Sequence, residues 1–563
     1  MKYLELASLY SKLESTSKRL EKTEILSEFL KKLKHEKNKE IVYLLKGRIF
    51  PDYDTRETGI STQLVIKALS KATGINEKEI VNLWKKLGDL GLVAEQISSK
   101  KKQSTLSSKE LTTEKVLENL RKLPELQGKG TVEKKMVLIS ELLTSASSLE
   151  LKYLTRTLLS DLRTGTGDGV LRDSIVWACF DKEDKEAYST VQESYDKTND
   201  LALVFQQACK GKSSLKQAEI VPGKPIKVML AQKVSSIQEA FETVGEVLAA
   251  EYKYDGFRML INKDEKGNIS IFTRRLENVT NQFPEVIDYV KRNVSGRTFV
   301  IDSEAVGYEP KTKEYKPFQD ISQRIKRKYN IQQLAEKLPV EVNVFDILYY
   351  NGKNLLKTPY KARRELIEKI ITEKKYHLVL AKQIISKNKE EIEKFYKQAL
   401  KDKQEGLMFK NLQAEYKPGA RVGYMVKFKP EDNEFDLIIT GAEYGTGKRA
   451  GWLTSFDVSC KSGNKLLEIG KVSTGLKEKE EQGLSYKEMT QKLKPLITST
   501  EGKHVQVKPE LVVMVTYQNI QKSPTYSSGF ALRFPRFTRL RPDRSVSDIN
   551  TLEEVKEDSK KQK

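Results

Sequence analysis

The sequence runs to 563 residues, too long for one ordinary domain and enough for about three. Hydrophobic residues make up 38 % and recur with regular period, which excludes a disordered chain. Lys and Arg total 100 against 78 Asp and Glu, a formal charge of +22 that favours a polyanionic partner, nucleic acid first, although a Lys- and Glu-rich thermophilic composition gives a similar excess.

The first two hundred or so residues read as helical. Apolar residues are spaced three and four apart over 2–20, 22–34, 76–92, 112–123 and 133–160. Residues 97–113, rich in Ser, Thr and Lys, read as a solvated loop. Leu162-Arg163-Thr164-Gly165-Thr166-Gly167-Asp168-Gly169 then precedes a helical pattern from Val170. With Arg163 and Arg172 close by, such glycines would let backbone amides approach phosphate at a helix start; a plain turn between helices fits the residues equally well.

Val221-Pro222-Gly223-Lys224-Pro225 reads as a linker. Beyond it, short β-rich runs at 249–254, 269–274, 298–303, 340–350, 378–385, 406–410 and 424–429 alternate with helices such as 283–293 and 361–373, an α+β pattern. From Phe435 strands come faster and helices nearly vanish: runs at 435–443, 452–460, 466–473, 504–517 and 530–540 predict a small closed β-barrel of the oligonucleotide-binding type. The charged end, 551–563, reads as a frayed tail.

The chemistry gathers after the linker. Glu251-Tyr252-Lys253-Tyr254-Asp255-Gly256-Phe257-Arg258 ends a strand at a glycine turn. A lysine there becomes a nucleophile if burial or neighbouring cations lower its pKa, and Arg258 could hold a phosphate or ribose. Phe299-Val300-Ile301-Asp302-Ser303-Glu304-Ala305 is a strand ending in carboxylates, and Phe345 in Val344-Phe345-Asp346-Ile347-Leu348 could stack on a purine. Glu405 precedes the strand Gly406-Leu407-Met408-Phe409-Lys410. Lys427 and Lys429, two apart, share one strand face, a cationic surface suited to a triphosphate. Glu304 and Glu405 offer hard oxygen to Mg²⁺ or Mn²⁺. Each run also has an ordinary reading as an alternating strand with polar residues outward. The residues alone establish a cationic, carboxylate-lined nucleotide site and no more.

These motifs, in this order and spacing, resemble the covalent lysyl-nucleotidyltransferase superfamily, and within it the ATP-dependent DNA ligases of archaeal and eukaryotic type. Lys253-Tyr254-Asp255-Gly256 matches the family's nucleophile motif and Thr273-Arg274-Arg275-Leu276-Glu277-Asn278-Val279-Thr280 the motif after it. Glu304, Phe345, Glu405 and the Lys427/Lys429 pair fall on the following ones, and Arg533-Phe534-Pro535-Arg536-Phe537 with Arg541-Pro542-Asp543-Arg544 resembles the last. The resemblance spans about 225–544 and includes the glycine-rich segment from Asp161 to Asp173.

The resemblance implies a helical DNA-binding domain at 1–220, an adenylation domain at 221–430 and a barrel domain at 431–550. It implies nick sealing in DNA replication, repair and recombination. Lys253 would attack the α-phosphate of ATP, with Lys427 and Lys429 neutralising phosphate. Glu251 and Phe345 would meet the adenine, and Arg258, Arg274, Glu304 and Arg421 the ribose and phosphates. Arg163, Gly165, Gly167, Gly169 and Arg172 would contact DNA. Arg533, Arg536, Asp543 and Arg544 would approach the ATP site during the first step. A monomer in the cytoplasm acting on nicked duplex DNA is expected, with a sliding clamp as a further partner whose docking segment no motif locates. Two departures stand out: Arg544 follows Asp543 where relatives commonly have Lys, and Asn278 stands where many have Asp.

Composition bears on the rivals. Cys179, Cys209 and Cys460 lie far apart with no C-x-x-C pair, so neither a disulfide framework nor the four-cysteine zinc module of the NAD-dependent ligases is expected. RNA ligases and capping guanylyltransferases usually lack so long a helical segment ahead of the lysine. A basic DNA-binding protein with decayed motifs is disfavoured by the intact set of lysines and carboxylates. His35, His377 and His504 leave little for a His-based mechanism, and no apolar run suits a membrane span.

Overall fold

Apolar spacings of three and four turn the first part of the chain into helices, as expected. They run Tyr3–Glu14, Arg19–Leu33, Thr62–Thr73, Glu77–Leu87, Leu90–Ser98, Thr113–Lys122, Thr131–Ser145, Ser148–Leu158, Asp168–Cys179, Lys185–Thr198, Leu201–Lys210 and Lys212–Lys216. Several starts are fixed by capping: the side chains of Asn76, Asp89, Thr112, Asp184 and Asp200 accept backbone N–H groups of the first turn. Inward faces share one core that includes Leu6, Tyr10, Leu30, Val65, Leu154, Val176 and Phe205. The computed structural model describes all residues except Thr55, 100–109, Gln127, Lys129, Lys326, Lys328, 431–432, 446–448, Ala450, 479–480, Gln482 and 562–563. Most of the loop expected at 97–113 therefore lies outside the described residues.

After Pro225 the chain builds two facing sheets. One has the order Leu230–Lys233, Arg421–Phe428, Gly406–Asn411, Leu248–Lys253, Gln383–Ser386. The other runs Ile269–Thr273, Phe257–Lys263, Phe299–Tyr308, Val340–Tyr350, Lys353–Asn354, with Tyr315–Lys316 and Leu378–Leu380 added at its sides. Leu260, Phe272, Val300 and Leu348 of the second sheet meet Met408 and Met425 of the first. Helices Ile237–Val244 and Lys389–Lys401 bury residues in the core on the first sheet's outer face; Pro284–Asn293 and Tyr360–Ile370 do so on the second's.

Strand Phe257–Lys263 is absent from the runs expected on sequence, although it lies inside the second sheet. Its Met259-Leu260-Ile261 is apolar on consecutive residues because both faces are buried, so no alternation marks it. The run expected as one strand at 378–385 splits between the two sheets.

By internal contacts the chain forms two compact units, 1–429 and 430–563. The second is mostly strands, in the order Lys465–Val472, Leu453–Ser462, Asn433–Tyr444, Val512–Tyr517, Arg536–Leu540; His504–Val507 also pairs with the long Asn433–Tyr444. Phe537 N–H donates to Thr474 O at 2.8 Å, bringing the last strand back beside the first. Runs expected as single strands at 504–517 and 530–540 are each broken, around Pro509 and Pro535, because proline has no N–H for the ladder. A helix, Tyr486–Leu493, stands where few were expected. The expected tail is not frayed over its described residues: Leu552–Lys561 is helical, Leu552 and Val555 enter the core, and Asp558 accepts the Tyr517 hydroxyl at 2.6 Å.

Candidate active site

Strand Leu248–Lys253 sends Ala249, Glu251 and Lys253 to one face, toward the space between the sheets, and Ala250 and Tyr252 to the other, into the outer core. Lys253 pairs across the ladder with Gly406, and its backbone oxygen accepts Glu405 N–H at 2.9 Å. That register sets the Lys253 ammonium against the Glu405 carboxylate in a direct ion pair. Two glycines make the approach possible. A Cβ on Gly256 would stand 2.3 Å from Ala305 O, and one on Gly406, at φ +144°, would stand 2.2 Å from Phe428 O.

Around Lys253 the charges are unbalanced. Lys427, on strand Arg421–Phe428 and paired with Met408, is held below the usual lysine range by burial, then by the cations Lys253, Arg274, Lys429 and Arg421. Lys427 thus lies among cations that include Arg274 and Arg421, whereas Lys429, expected on the same strand face, falls just past the strand's end at Phe428. Arg274 follows strand Ile269–Thr273 in a turn where Leu276 adopts φ +67°, a left-handed conformation unusual for a bulky residue. Glu405 sits below its usual range: burial opposes this, but Lys253, Asp255 and Lys429 outweigh it. Burial pushes Glu304 up to about 8, against the attraction of Lys253 and Arg258 and with the help of Glu405 and Asp302.

Deeper in, the polar groups are matched. Glu251, 2 % exposed, accepts the Tyr360 hydroxyl and Gln383 Nε2 (2.9 Å) and lies 2.5 Å from Lys410 Nζ. Phe345 lies near two cations, its ring centroid 4.5 Å from Lys410 Nζ and 5.3 Å from the Arg258 guanidinium. Arg258 does not reach into open space: it forms a two-pronged pair with the fully buried Asp302 and donates to Met229 O at 3.1 Å, while Tyr416 also donates to Asp302 at 2.8 Å. Sequence reasoning assigns none of Asp302, Tyr360, Lys410 and Tyr416 to the site. Lys410 was legible by alternation, since Gly406, Met408 and Lys410 face the same side as Lys253 and Glu251.

The other expected residues lie elsewhere. In the glycine-rich segment Gly165 has φ +64° and Arg163, a non-glycine, φ +60°. Arg163 donates to Asp161 at 2.7 Å and stands 3.4 Å from Asp89, and Arg172 donates to Asp173 at 2.8 Å and to Gln192 at 3.1 Å. Gly167 is the residue before helix Asp168–Cys179, and Asp168 in its first turn pairs with Lys46 at 2.8 Å; Gly169 lies beside Arg19. In the second unit Arg533 is buried, Arg536 is exposed, and Phe534 between them takes φ +50°. Arg541 holds both Asp436 and Asp543 at 2.8 Å, drawing Asp543 down to about 2, and Arg544 reaches Asp436 at 3.2 Å.

Among the described residues no three His, Cys, Asp or Glu are grouped to hold a metal. Nor is any helix among them long and apolar enough to cross a membrane.

Three family models match along the chain. The one described as DNA ligase N terminus covers residues 2–176, ATP dependent DNA ligase domain covers 228–429, and ATP dependent DNA ligase C terminal region covers 449–544. The DNA ligase of Nanoarchaeum equitans (strain Kin4-M) is 43 % identical over 99 % of this chain and 98 % of its own length. That of Thermococcus onnurineus (strain NA1) is 41 % identical over 99 % and 97 %. A solved structure named Pmar-Lig_PreS3 aligns over 95 % of this chain and 99 % of its own at 18 % identity and TM-score 0.56, a likeness of fold.

Proposed function

The chain belongs to the ATP-dependent DNA ligases, and from that premise we propose that it seals 5′-phosphate/3′-hydroxyl nicks in duplex DNA by carrying AMP on Lys253. The observation that carries this reading is one lysine, placed by a strand end against Glu405 and facing the massed cations Lys427, Lys429, Arg274 and Arg421.

The proposed first step is a displacement at phosphorus. Lys253 releases Glu405, gives up a proton and attacks the α-phosphorus of ATP; an N–P bond forms, the bond to the bridging oxygen of the β-phosphate breaks, and pyrophosphate leaves. Catalysis rests on positioning and on neutralising the negative charge of the phosphates, which Lys427 and Lys429 supply. Glu251 and Phe345 hold the adenine, and Arg258, Arg274, Glu304 and Arg421 the ribose and phosphates. AMP then passes to the 5′-phosphate of the nick, and the 3′-hydroxyl displaces it.

The donor set suits Mg²⁺, or Mn²⁺ with similar ligands. Glu304 and Glu405 both lie beside Lys253, where the proposed phosphates would sit, and one or two carboxylates with water and substrate phosphates are what this ion takes. When bound it would neutralise further phosphate charge.

The proposed domains are 1–220 for DNA, 221–430 for adenylation and 431–550 for an oligonucleotide-binding barrel. Support for the barrel comes from its strand order and from the helix Tyr486–Leu493 between its third and fourth strands. Arg163, Arg172 and the glycine-rich backbone would contact DNA phosphates, while Arg533, Arg536, Asp543 and Arg544 would serve the first step.

The test is brief incubation with Mg²⁺ and ATP labelled at the α-phosphate, followed by a denaturing gel, with Lys253→Ala beside the parent. Label on the parent alone, chased by nicked duplex with sealing of the strand, is the expected result. Covalent label persisting in the variant would overturn the nucleophile, and label chased only by RNA ends would overturn the substrate.

A further inference from the structure

The glycine-rich segment ahead of helix Asp168–Cys179 rests on a lysine. Lys22 lies in the first turn of helix Arg19–Leu33 and is 6 % exposed. A lysine is rarely sealed to that extent, because an ammonium taken out of water needs hydrogen bonds in its place. This one donates to the backbone oxygen of Thr164, itself buried. Its helix is fixed beside the segment: Arg19 pairs with Asp173 at 2.6 Å, and Ser174 Oγ donates to Thr23 O at 3.2 Å.

The backbone on both sides of that carbonyl is left-handed, with φ +60° at Arg163 and +64° at Gly165. A Cβ on Gly165 would stand 2.8 Å from Lys22 Nζ, so glycine here both allows the turn and leaves room for the ammonium. A trans peptide is planar, and its oxygen and N–H point in opposite directions. Pinning the Thr164 oxygen to a buried lysine therefore aims the Gly165 N–H away from the protein interior. Among the described residues, no backbone N–H from Gly165 to Gly169 donates to a protein acceptor, whereas those of Val170 and Leu171 donate to Gly167 O at 3.0 and 3.2 Å. Gly165, Gly167 and Asp168 are exposed, and the Asp168 carboxylate is offset by Lys46 at 2.8 Å. Outward N–H groups at a helix start suit a phosphate.

We propose that Lys22 is a positioning residue for nick binding, which holds the Thr164 carbonyl inward so that the N–H groups from Gly165 onward meet a phosphate of the duplex. This role presupposes that the glycine-rich segment contacts DNA, as proposed above. Lys22 is too buried to touch the duplex and acts through the turn. Without it the Thr164–Gly165 peptide is free to rotate, and rotation would present a carbonyl oxygen to the phosphate in place of an N–H.

The experiment uses the full chain, nicked duplex, and a set of nicked duplexes in which one phosphate at a time is replaced by an uncharged methylphosphonate. Lys22→Met keeps the apolar stem and removes the ammonium. It should weaken nick binding about tenfold, leave the sealing rate at saturating nick unchanged, and abolish the methylphosphonate penalty at one position while the other penalties stay. Lys22→Arg, which can still donate to Thr164 O, should restore the penalty at that position. Gly165→Ala, whose methyl group would displace the ammonium from the other side, should lose the penalty at the same position and tests the contact without altering Lys22. Circular dichroism and self-adenylylation without DNA check that the Lys22 variants fold.

Gly167→Asp separates the role of Lys22 from the reading of the segment. A Cβ there meets nothing within 4 Å and φ is −98°, so the carboxylate enters without strain and should repel the phosphate. Unchanged nick affinity in Gly167→Asp would overturn the segment as a DNA contact. Weakened binding in Gly167→Asp with unchanged binding in Lys22→Met would overturn the role of Lys22 alone. So would a Lys22→Met or Gly165→Ala protein that binds weakly but keeps every methylphosphonate penalty, since a purely structural lysine would give that result.

Discussion

The floor and the rim of the proposed nucleotide site are made from the same residue types in opposite arrangements. On the floor every charge has a close counter-charge: Glu251 with Lys410, Arg258 with Asp302, and Arg363 with Asp346 at 2.7 Å, all buried or nearly so. On the rim, Lys427 is surrounded by Lys253, Lys429, Arg274 and Arg421, with Glu405 to offset them. A matched buried pair costs desolvation and stabilises only while both partners remain. A crowd of like charge destabilises itself until an anion arrives. The floor is therefore neutralised within the fold, even where Glu251 and Arg258 also meet the proposed nucleotide, while the rim keeps an excess of positive charge that an anion would neutralise.

Breaking the floor should have the largest effect on stability. Lys410→Met leaves Glu251 buried without its nearest cation, and stability should fall by about 3 kcal/mol, read as a lower melting temperature. A variant as stable as the parent would mean that Tyr360, Gln383 and Arg364 satisfy Glu251 without help, and the floor would not be the rigid element described.

The rim should behave in the reverse way. Lys427→Ala should slow formation of the covalent adenylate by about 10²–10³-fold. Its melting temperature should hold or rise, because one of several repelling charges has gone. Rapid-quench adenylylation and calorimetry on the same sample separate the two. A parallel loss of rate and stability would erase the distinction between rim and floor.

The glycine-rich segment sharpens the comparison from a third side, since its arginines already have protein partners. Arg172 must give up Asp173 and Gln192 before it can hold a DNA phosphate. Arg172→Ala should therefore weaken binding of nicked duplex only about threefold and reduce the salt dependence by about one phosphate contact. Anisotropy titrations at several salt concentrations read both. A hundredfold loss would put Arg172 with the rim.

The sequence exposed the rim better than the floor. Lys253, Glu405, Lys427 and Lys429 lie in short motifs at strand ends, where local order and spacing carry the information. The floor is formed by residues joined only through strand pairing: Asp302 reaches Arg258 from the neighbouring strand, and Lys410 reaches Glu251 across the ladder. Strand Phe257–Lys263 was hidden for a related reason, as burial on both faces removes the alternation that marks a strand. The terminal helix was hidden by its charge: only Leu552 and Val555 need be apolar for it to dock.

Glu304 sits between floor and rim, and its titration gives the smallest and most discriminating test. Burial pushes its carboxyl from the ordinary 4.5 up to about 8. The folded state then holds a proton that the unfolded chain has already released across that interval. Unfolding releases a proton there, so stability falls as pH rises from about 4.5 to 8 and is level outside the interval. Glu304→Gln, uncharged at every pH, should match the parent near pH 5 and exceed it at pH 8, by roughly 2 °C in melting temperature. If the parent is instead the more stable at pH 8, the carboxylate is charged there and is held by Lys253 and Arg258. Glu304 would then be a counter-charge of the rim, and the cations around Lys427 would be closer to balance than their crowding implies.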